Sequence, residues 1–368
     1  MVRHCGSSLW FVFIPTLFML TSTPMRLLTL TLCCLFISVS LYAQPVADTK
    51  SLPRASLDER FPAAAAEAFL NAMQEKNFDL HSVMILKEGK VVYERWFGDN
   101  APGKNHVMWS VSKTWTTIAV GFAIAEGKFT VEDKVISFFP DDLPDEVSEN
   151  LAALRVKDLL TMSVGHHNDP TNATRNAQGS WEKLFFAHPI PHEPGTKFVY
   201  NSLATYMLSS IVRKTTGENL IDYLQPRLFE PLGIEGARWE SNPGGTNLGG
   251  WGLYVKTEDM AKLGQLLLQK GHWNGKQLLP EAWIEEATTS QILQDPNVDL
   301  ATSTSDWNQG YGYQMWRCRH NGFRADGLNG QFIIVLPEQK AVVVLTANIG
   351  DMQAELNLVW EHLFPVLR

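Results

Sequence analysis

Apolar residues change their spacing along this chain, and each change marks a different element. Leu27 to Leu41 is an almost unbroken apolar run, and Ala47 to Arg60 is polar. Phe61 to Lys76, with its alanine run, has the composition of a helix. Ser82–Leu86 and Val91–Trp96 are β-rich and flank Lys87-Glu-Gly-Lys90, which predicts a hairpin. Ser110 to Glu126 predicts a helix. From Thr114 to Ala125 it is apolar or small at nearly every position, so burial on all sides is expected, with Gly127 as C-cap. The middle third reads as short helices: Val156–Met162, Leu203–Lys214, Leu220–Phe229 and Asp259–Lys270. The last third turns to strands, Gly312–Arg317, Gly322–Ala325, Gln331–Leu336 and Ala341–Thr346, and closes with a helix over Met352–Phe364. Strands at both ends predict one antiparallel sheet flanked by helices. The helical middle forms a second lobe, with a cleft between the two. This is an α+β architecture, since strands and crossover helices do not alternate.

Composition narrows the class. The chain has 368 residues, 45% hydrophobic and 19% charged, enough for a sizeable core. A formal charge of −8 and the lack of any Lys/Arg run argue against a nucleic-acid partner. Residues 1–43 carry Arg3 and Arg26 but no Asp, Glu or Lys. From Met25 the order is Met-Arg, an apolar run, then Ala43-Gln44, the pattern of a secretory signal peptide cleaved after Ala43. The segment before it has its own apolar run, Leu9–Leu20, so either translation starts at Met25 or the leader is a longer retained anchor. Each run is shorter than the ~20 residues that span a bilayer. The expected organisation is a leader over 1–43 and one domain over 44–368, secreted or periplasmic, touching membrane only through an uncleaved leader. Cys5, Cys33 and Cys34 fall in the leader; Cys318 alone remains and cannot form an internal disulfide.

Chemistry enters at Met108-Trp109-Ser110-Val111-Ser112-Lys113. Residues three apart on a helix share a face, so Lys113 stands one turn above the Ser110 hydroxyl. A lysine removed from water loses its proton more readily, and a neutral amine beside a serine activates it as a nucleophile. The Ser110 N–H, near a helix N-terminus, is a natural oxyanion donor. Ser180-Trp-Glu-Lys183 repeats the spacing, but its helix is short and stops at Pro189; the ordinary reading of such a serine is an N-cap. Tyr200-Asn201-Ser202 follows a Pro-Gly turn and presents a tyrosine that can shuttle a proton. The alternative is a half-buried structural tyrosine. Ser202 supports this site or caps the helix from Leu203. Gly327-Leu328-Asn329-Gly330 lies between two strands; Gly327 permits close backbone approach, and the Leu328 N–H can be the second oxyanion donor. His166-His167-Asn168-Asp169 lacks the spacing of a metal site. It is expected on a loop near the cleft, with Asp169 within reach of substrate. No metal or cofactor is expected.

In this order, the motifs resemble the serine β-lactamase and penicillin-recognising hydrolase family, above all its class C-like, esterase and 6-aminohexanoate-dimer-hydrolase branch. The likeness runs from about Ser82 to Leu345. It includes Asp158-Leu-Leu-Thr-Met162 with Gly165, Leu253-Tyr254 through Asp259–Gly264, Asn274–Pro280 and Tyr311-Gly-Tyr-Gln-Met-Trp316. The resemblance implies a β-lactamase/DD-peptidase-like fold and an acyl-serine hydrolase of small esters, amides or peptide-like molecules, with Ser110 as the nucleophile rather than Ser180. Two departures matter. Serine stands third in Tyr200-Asn201-Ser202, and Ala325-Asp326-Gly327 replaces the family's Lys-Thr-Gly or His-x-Gly. The missing cation would meet a substrate carboxylate, and its loss should cost about 1.5–3 kcal/mol of binding. Strand alternation aims Arg324 away from the Ala325 face. Ester or amide hydrolysis is therefore expected ahead of β-lactamase or D-Ala-D-Ala carboxypeptidase activity. The remaining alternative is a non-catalytic sensing module on the same scaffold.

Overall fold

A computed structural model describes residues 50–56 and 59–368. The leader expected over residues 1–43 lies outside the described residues.

Strands from early and late in the described residues meet in one six-stranded antiparallel sheet, ordered Lys90–Trp96, Asp79–Lys87, Ala341–Asn348, Gln331–Leu336, Phe323–Gly327, Trp316–Arg317. Side chains alternate across a strand, and the two faces bury separate clusters. Met84, Leu86, Ile333, Val335, Val342 and Val344 pack with the helices of the middle of the chain. Val83, Ile85, Phe332, Ile334, Val343 and Leu345 pack with the helix Ala63–Glu75 and the C-terminal helical segment. A central strand covered on both faces has no polar side, which is why 331–336 is apolar at almost every position.

The predicted α+β arrangement of hairpin, sheet and helices stands, with differences that bear on the site. The expected helix from Ser110 begins later. A single 3-10 turn, Trp109–Val111, precedes the α-helix Ser112–Ala125, which is buried at every position through Ala123. The strand expected over Gly322–Ala325 runs on to Gly327, and that expected over Gly312–Arg317 contracts to Trp316–Arg317. Gln314 adopts φ 58°, a left-handed conformation that breaks the extended run. Leu220–Phe229 is an α-helix only to Leu224, after which Gln225–Phe229 widens into a π turn at Pro226. A small sheet not expected from the sequence joins His106–Val107, Leu253–Val255 and Arg238–Trp239. It anchors the turn that carries Ser110, because Met108 N–H donates to Leu253 O at 2.9 Å.

Candidate active site

The turn that carries Ser110 is held under strain. Trp109 has φ 45°, a conformation that costs a bulky residue about 1–3 kcal/mol. The Ser112 hydroxyl donates to Trp109 O at 2.6 Å and accepts the Leu253 N–H at 3.2 Å, so the small sheet and the helix fix the turn together. The result is a half-buried Ser110 ahead of a buried helix.

Lys113 is 1% exposed. Its Nζ donates to Gly250 O at 2.8 Å and lies 2.9 Å from Ser110 Oγ and 3.0 Å from Ser202 Oγ. Burial depresses its pKa to about 7, against the opposing attraction of Asp169 and then Asp326. The geometry suits the neutral amine. Two N–H bonds and one lone pair meet three oxygens, and Gly250 O can only accept. One hydroxyl can then accept the second N–H while the other donates into the lone pair.

Tyr200 is half-buried, with Lys113 Nζ 4.9 Å from its ring centroid. Trp316 stacks on the ring at 5.5 Å and Tyr311 meets it edge-on at 6.4 Å. Burial, then the charge of Asp326, pushes the phenol upward, while an interaction with the Ser110 side chain pulls the other way. Near neutral pH the phenol keeps its proton.

Ser202 does not cap its helix. The cap of Ser202–Thr216 is Asn201, whose Oδ1 accepts the Ala204 N–H at 3.1 Å. The Ser202 hydroxyl is thereby left to face Lys113. Asn201 Nδ2 lies 2.9 Å from His166 Nδ1. Burial, then the neighbouring His188, pushes the His166 pKa down to about 3, so that ring is neutral. Asp169 is taken up by the chain itself. Its Oδ1 accepts the Thr171 N–H at 2.9 Å and its Oδ2 accepts the Ser202 N–H at 3.3 Å. The competing Ser180 is an N-cap: its Oγ accepts the Lys183 N–H at 3.2 Å, and Lys183 is exposed. No cluster of three or more His, Cys, Asp or Glu able to hold a metal exists among the described residues.

Gly327 permits a close approach, though to the chain's own backbone. A Cβ there would sit 2.4 Å from Met108 O and 3.2 Å from Val111 N. The end of the strand is thus pressed on the turn that carries Ser110, and Leu328, 55% exposed, follows it in the chain. Trp316–Arg317 pairs only with Phe323 and Arg324, so Ala325–Gly327 has no strand partner on that edge. Arg324 and Asp326 share the face opposite Ala325 and pair with each other, Nη2 to Oδ2 at 3.0 Å. Gly327→Ala is expected to destabilise the protein by about 1–3 kcal/mol and to lower turnover, read by thermal unfolding and an ester assay. An unchanged melting temperature would show that the two segments separate without cost.

Sequence reasoning gave no role to Gly250 or Asn201. Gly250 acts through its carbonyl, which no side chain announces. Asn201 lay inside a motif already noted, and its preference for N-caps was the available signal.

A family model described as Beta-lactamase matches residues 65–364. Among curated proteins, the 6-aminohexanoate-dimer hydrolase of Paenarthrobacter ureafaciens is 24% identical over 333 residues, 82% of this chain and 83% of that one. Two solved structures share the fold. One is EstCE1, a hydrolase with promiscuous acyltransferase activity, with TM-score 0.67 and 16% identity over 81% of this chain and 98% of that chain. The other is the octameric penicillin-binding protein homologue from Pyrococcus abyssi, with TM-score 0.64 and 20% identity over 81% of this chain and 76% of that chain. With the family match covering most of its length, this chain belongs to the beta-lactamase family of serine hydrolases.

Proposed function

We propose that the protein is an exported hydrolase of small esters or amides that works through an acyl-serine intermediate. The observation that carries this reading is the buried Lys113 amine, with its pKa near 7, 2.9 Å from Ser110 Oγ. In this mechanism Lys113 takes the Ser110 proton as Oγ attacks the substrate carbonyl carbon. The Ser110 and Leu328 N–H groups receive the oxyanion. The C–N or C–O bond then breaks, and Tyr200 relays a proton to the leaving group. Water attacks the acyl-serine with Lys113 again as base, which releases the acid and restores Ser110.

Substrate choice follows from the third motif. A carboxylate beside Ala325 meets no cation from that strand, and Arg324 is bound to Asp326 on the opposite face. A neutral ester or amide escapes this cost, whereas a β-lactam or D-Ala-D-Ala terminus bears it. The name of the aminohexanoate-dimer relative points toward amides. Export rests on the composition of the leader, and N-terminal sequencing of the mature protein is expected to begin at Gln44.

The test is covalent labelling with a fluorophosphonate, mass mapping of the adduct, and hydrolysis of a panel of activated ester, short amide, D-Ala-D-Ala peptide and β-lactam. Labelling at Ser110 with ester or amide turnover well above that of the β-lactam is expected. Absence of labelling would favour a non-catalytic module, and preferential β-lactam turnover would overturn the substrate assignment.

A further inference from the structure

The helical middle of the chain holds a polar cavity of about 500 Å3 whose lining includes neither Ser110, Lys113 nor Tyr200. One side is acidic. Glu182 Oε1 accepts from Tyr206 Oη at 2.7 Å and from Ser210 Oγ at 2.7 Å, and Oε2 accepts from Ser180 Oγ at 3.0 Å. Burial opposes the Glu182 charge, but the hydroxyl donors outweigh it and hold the carboxyl below its usual range. With only one donor on Oε2, that oxygen keeps room for another.

The lining also carries two cations, Arg213 and a Lys214 that pairs with Asp142 at 3.5 Å. Arg213 is half-buried, and its Nη1 donates to Gly244 O at 3.1 Å and Thr246 Oγ1 at 2.7 Å. Both acceptors are neutral, and no carboxylate forms an ion pair with Arg213 among the described residues. Among the described residues its Nε and Nη2 meet no acceptor. A guanidinium fixed by one nitrogen presents its remaining edge in the geometry that receives a carboxylate in a two-pronged hydrogen bond. Most of the arginines in ion pairs elsewhere in the fold, such as Arg54, Arg155, Arg227 and Arg319, are met by carboxylates at 3.1 Å or less.

We infer that this cavity is a second binding site, for a small zwitterion such as an amino acid or ω-amino acid, with the ligand carboxylate on Arg213 and its ammonium on Glu182. The site is built independently of the chemistry at Ser110. A ligand with one charge meets one of the two groups and leaves the other without an ionic partner, so the two-charge requirement is the signature of the site. A short run of residues links its lining to Lys113. Trp181, next to Ser180, stacks on Trp251 at 6.1 Å, and Trp251 follows the Gly250 that holds Lys113.

The experiment is calorimetric titration of the full chain carrying Ser110→Ala with glycine, 4-aminobutyrate and 6-aminohexanoate, against acetate and methylammonium as single-charge probes. Saturable 1:1 binding of at least one zwitterion is expected, at least tenfold tighter than either single-charge probe. It should weaken at least tenfold in Arg213→Gln and less in Arg213→Lys. In the wild-type chain the same zwitterion should protect Arg213 from phenylglyoxal, mapped by mass spectrometry. Equal binding of single-charge probes, binding unchanged in a folded Arg213→Gln, or Arg213 left unprotected in the wild type would each overturn the site. Failure of Ser110 labelling would overturn the hydrolase reading and leave this one intact.

Discussion

Ser110→Ala is expected to reduce turnover of an activated ester by about 10^4- to 10^6-fold with the fold unchanged, since removing a nucleophile collapses catalysis to what binding and the oxyanion donors supply alone. The change deletes one hydroxyl from a half-buried turn whose shape is set elsewhere, by Ser112 bridging Trp109 O and the Leu253 N–H. Lys113 keeps its bonds to Ser202 and Gly250, so stability should move by no more than about 1 kcal/mol, the worth of one hydrogen bond. The measurement is kcat/KM beside the thermal midpoint. Turnover within about tenfold of wild type, in a folded variant, would require another nucleophile.

Lys113→Met should lower kcat/KM by about 10^2- to 10^4-fold, the range of a general base, and should also remove a pH dependence. The wild-type base form accumulates as pH rises through about 7, so kcat/KM should climb along that limb, and the limb should vanish in the variant. Stability supplies a second readout with a definite sign. The Lys113 pKa is about 7 folded against 10.5 in the unfolded chain. Between those values the unfolded chain binds a proton that the folded chain does not, so wild-type stability gains with rising pH. Below about pH 7 the folded protein carries the full cost of a buried ammonium. The variant lacks that cost, so its melting temperature relative to wild type should be most favourable below pH 7 and lose ground as pH rises toward 10.5. A retained ascending limb, or a melting difference that ignores pH, would place the base elsewhere.

The phenol beside this pair has the opposite tendency. Burial keeps Tyr200 protonated while it lets Lys113 go neutral, because desolvation disfavours whichever form is charged. One environment thus leaves the lysine able to accept a proton and the tyrosine able to donate one.

Much of this was written in local pattern. The hairpin Asp79–Lys87 and Lys90–Trp96 and the strands Gln331–Leu336 and Ala341–Asn348 lie where β-rich runs and turn residues put them. The all-apolar run after Lys113 announced a helix buried on every side. The sequence was silent where elements are too short to show a period. His106–Val107 and Leu253–Val255 are strands of two and three residues, and no alternation can be read from so few positions. The 3-10 turn at Ser110 was equally hidden, since the residues allow an α start and only the contacts of Trp109 and Ser112 tighten it. Gln314 ended an expected strand early because its left-handed backbone is imposed by packing: its side chain donates to Leu159 O and Leu160 O and accepts from Thr205.

By itself the sequence determined the alternation that builds the sheet, the buried helix, the three-residue spacing of Ser110 and Lys113, and the missing cation at Ala325-Asp326-Gly327. These are properties of residue type and spacing, which act over one or two turns of chain. Only the tertiary structure decided which serine stands beside a buried amine. Ser180 and Ser110 have the same spacing to a lysine, but one is spent on a helix cap and the other faces a dry amine. It also decided the state of that amine, because burial lowers the Lys113 pKa against the pull of Asp169 and Asp326, and the segments packed around it include Gly250, 137 residues away. Water exclusion is a property of the assembled interior, and no stretch of chain carries it alone.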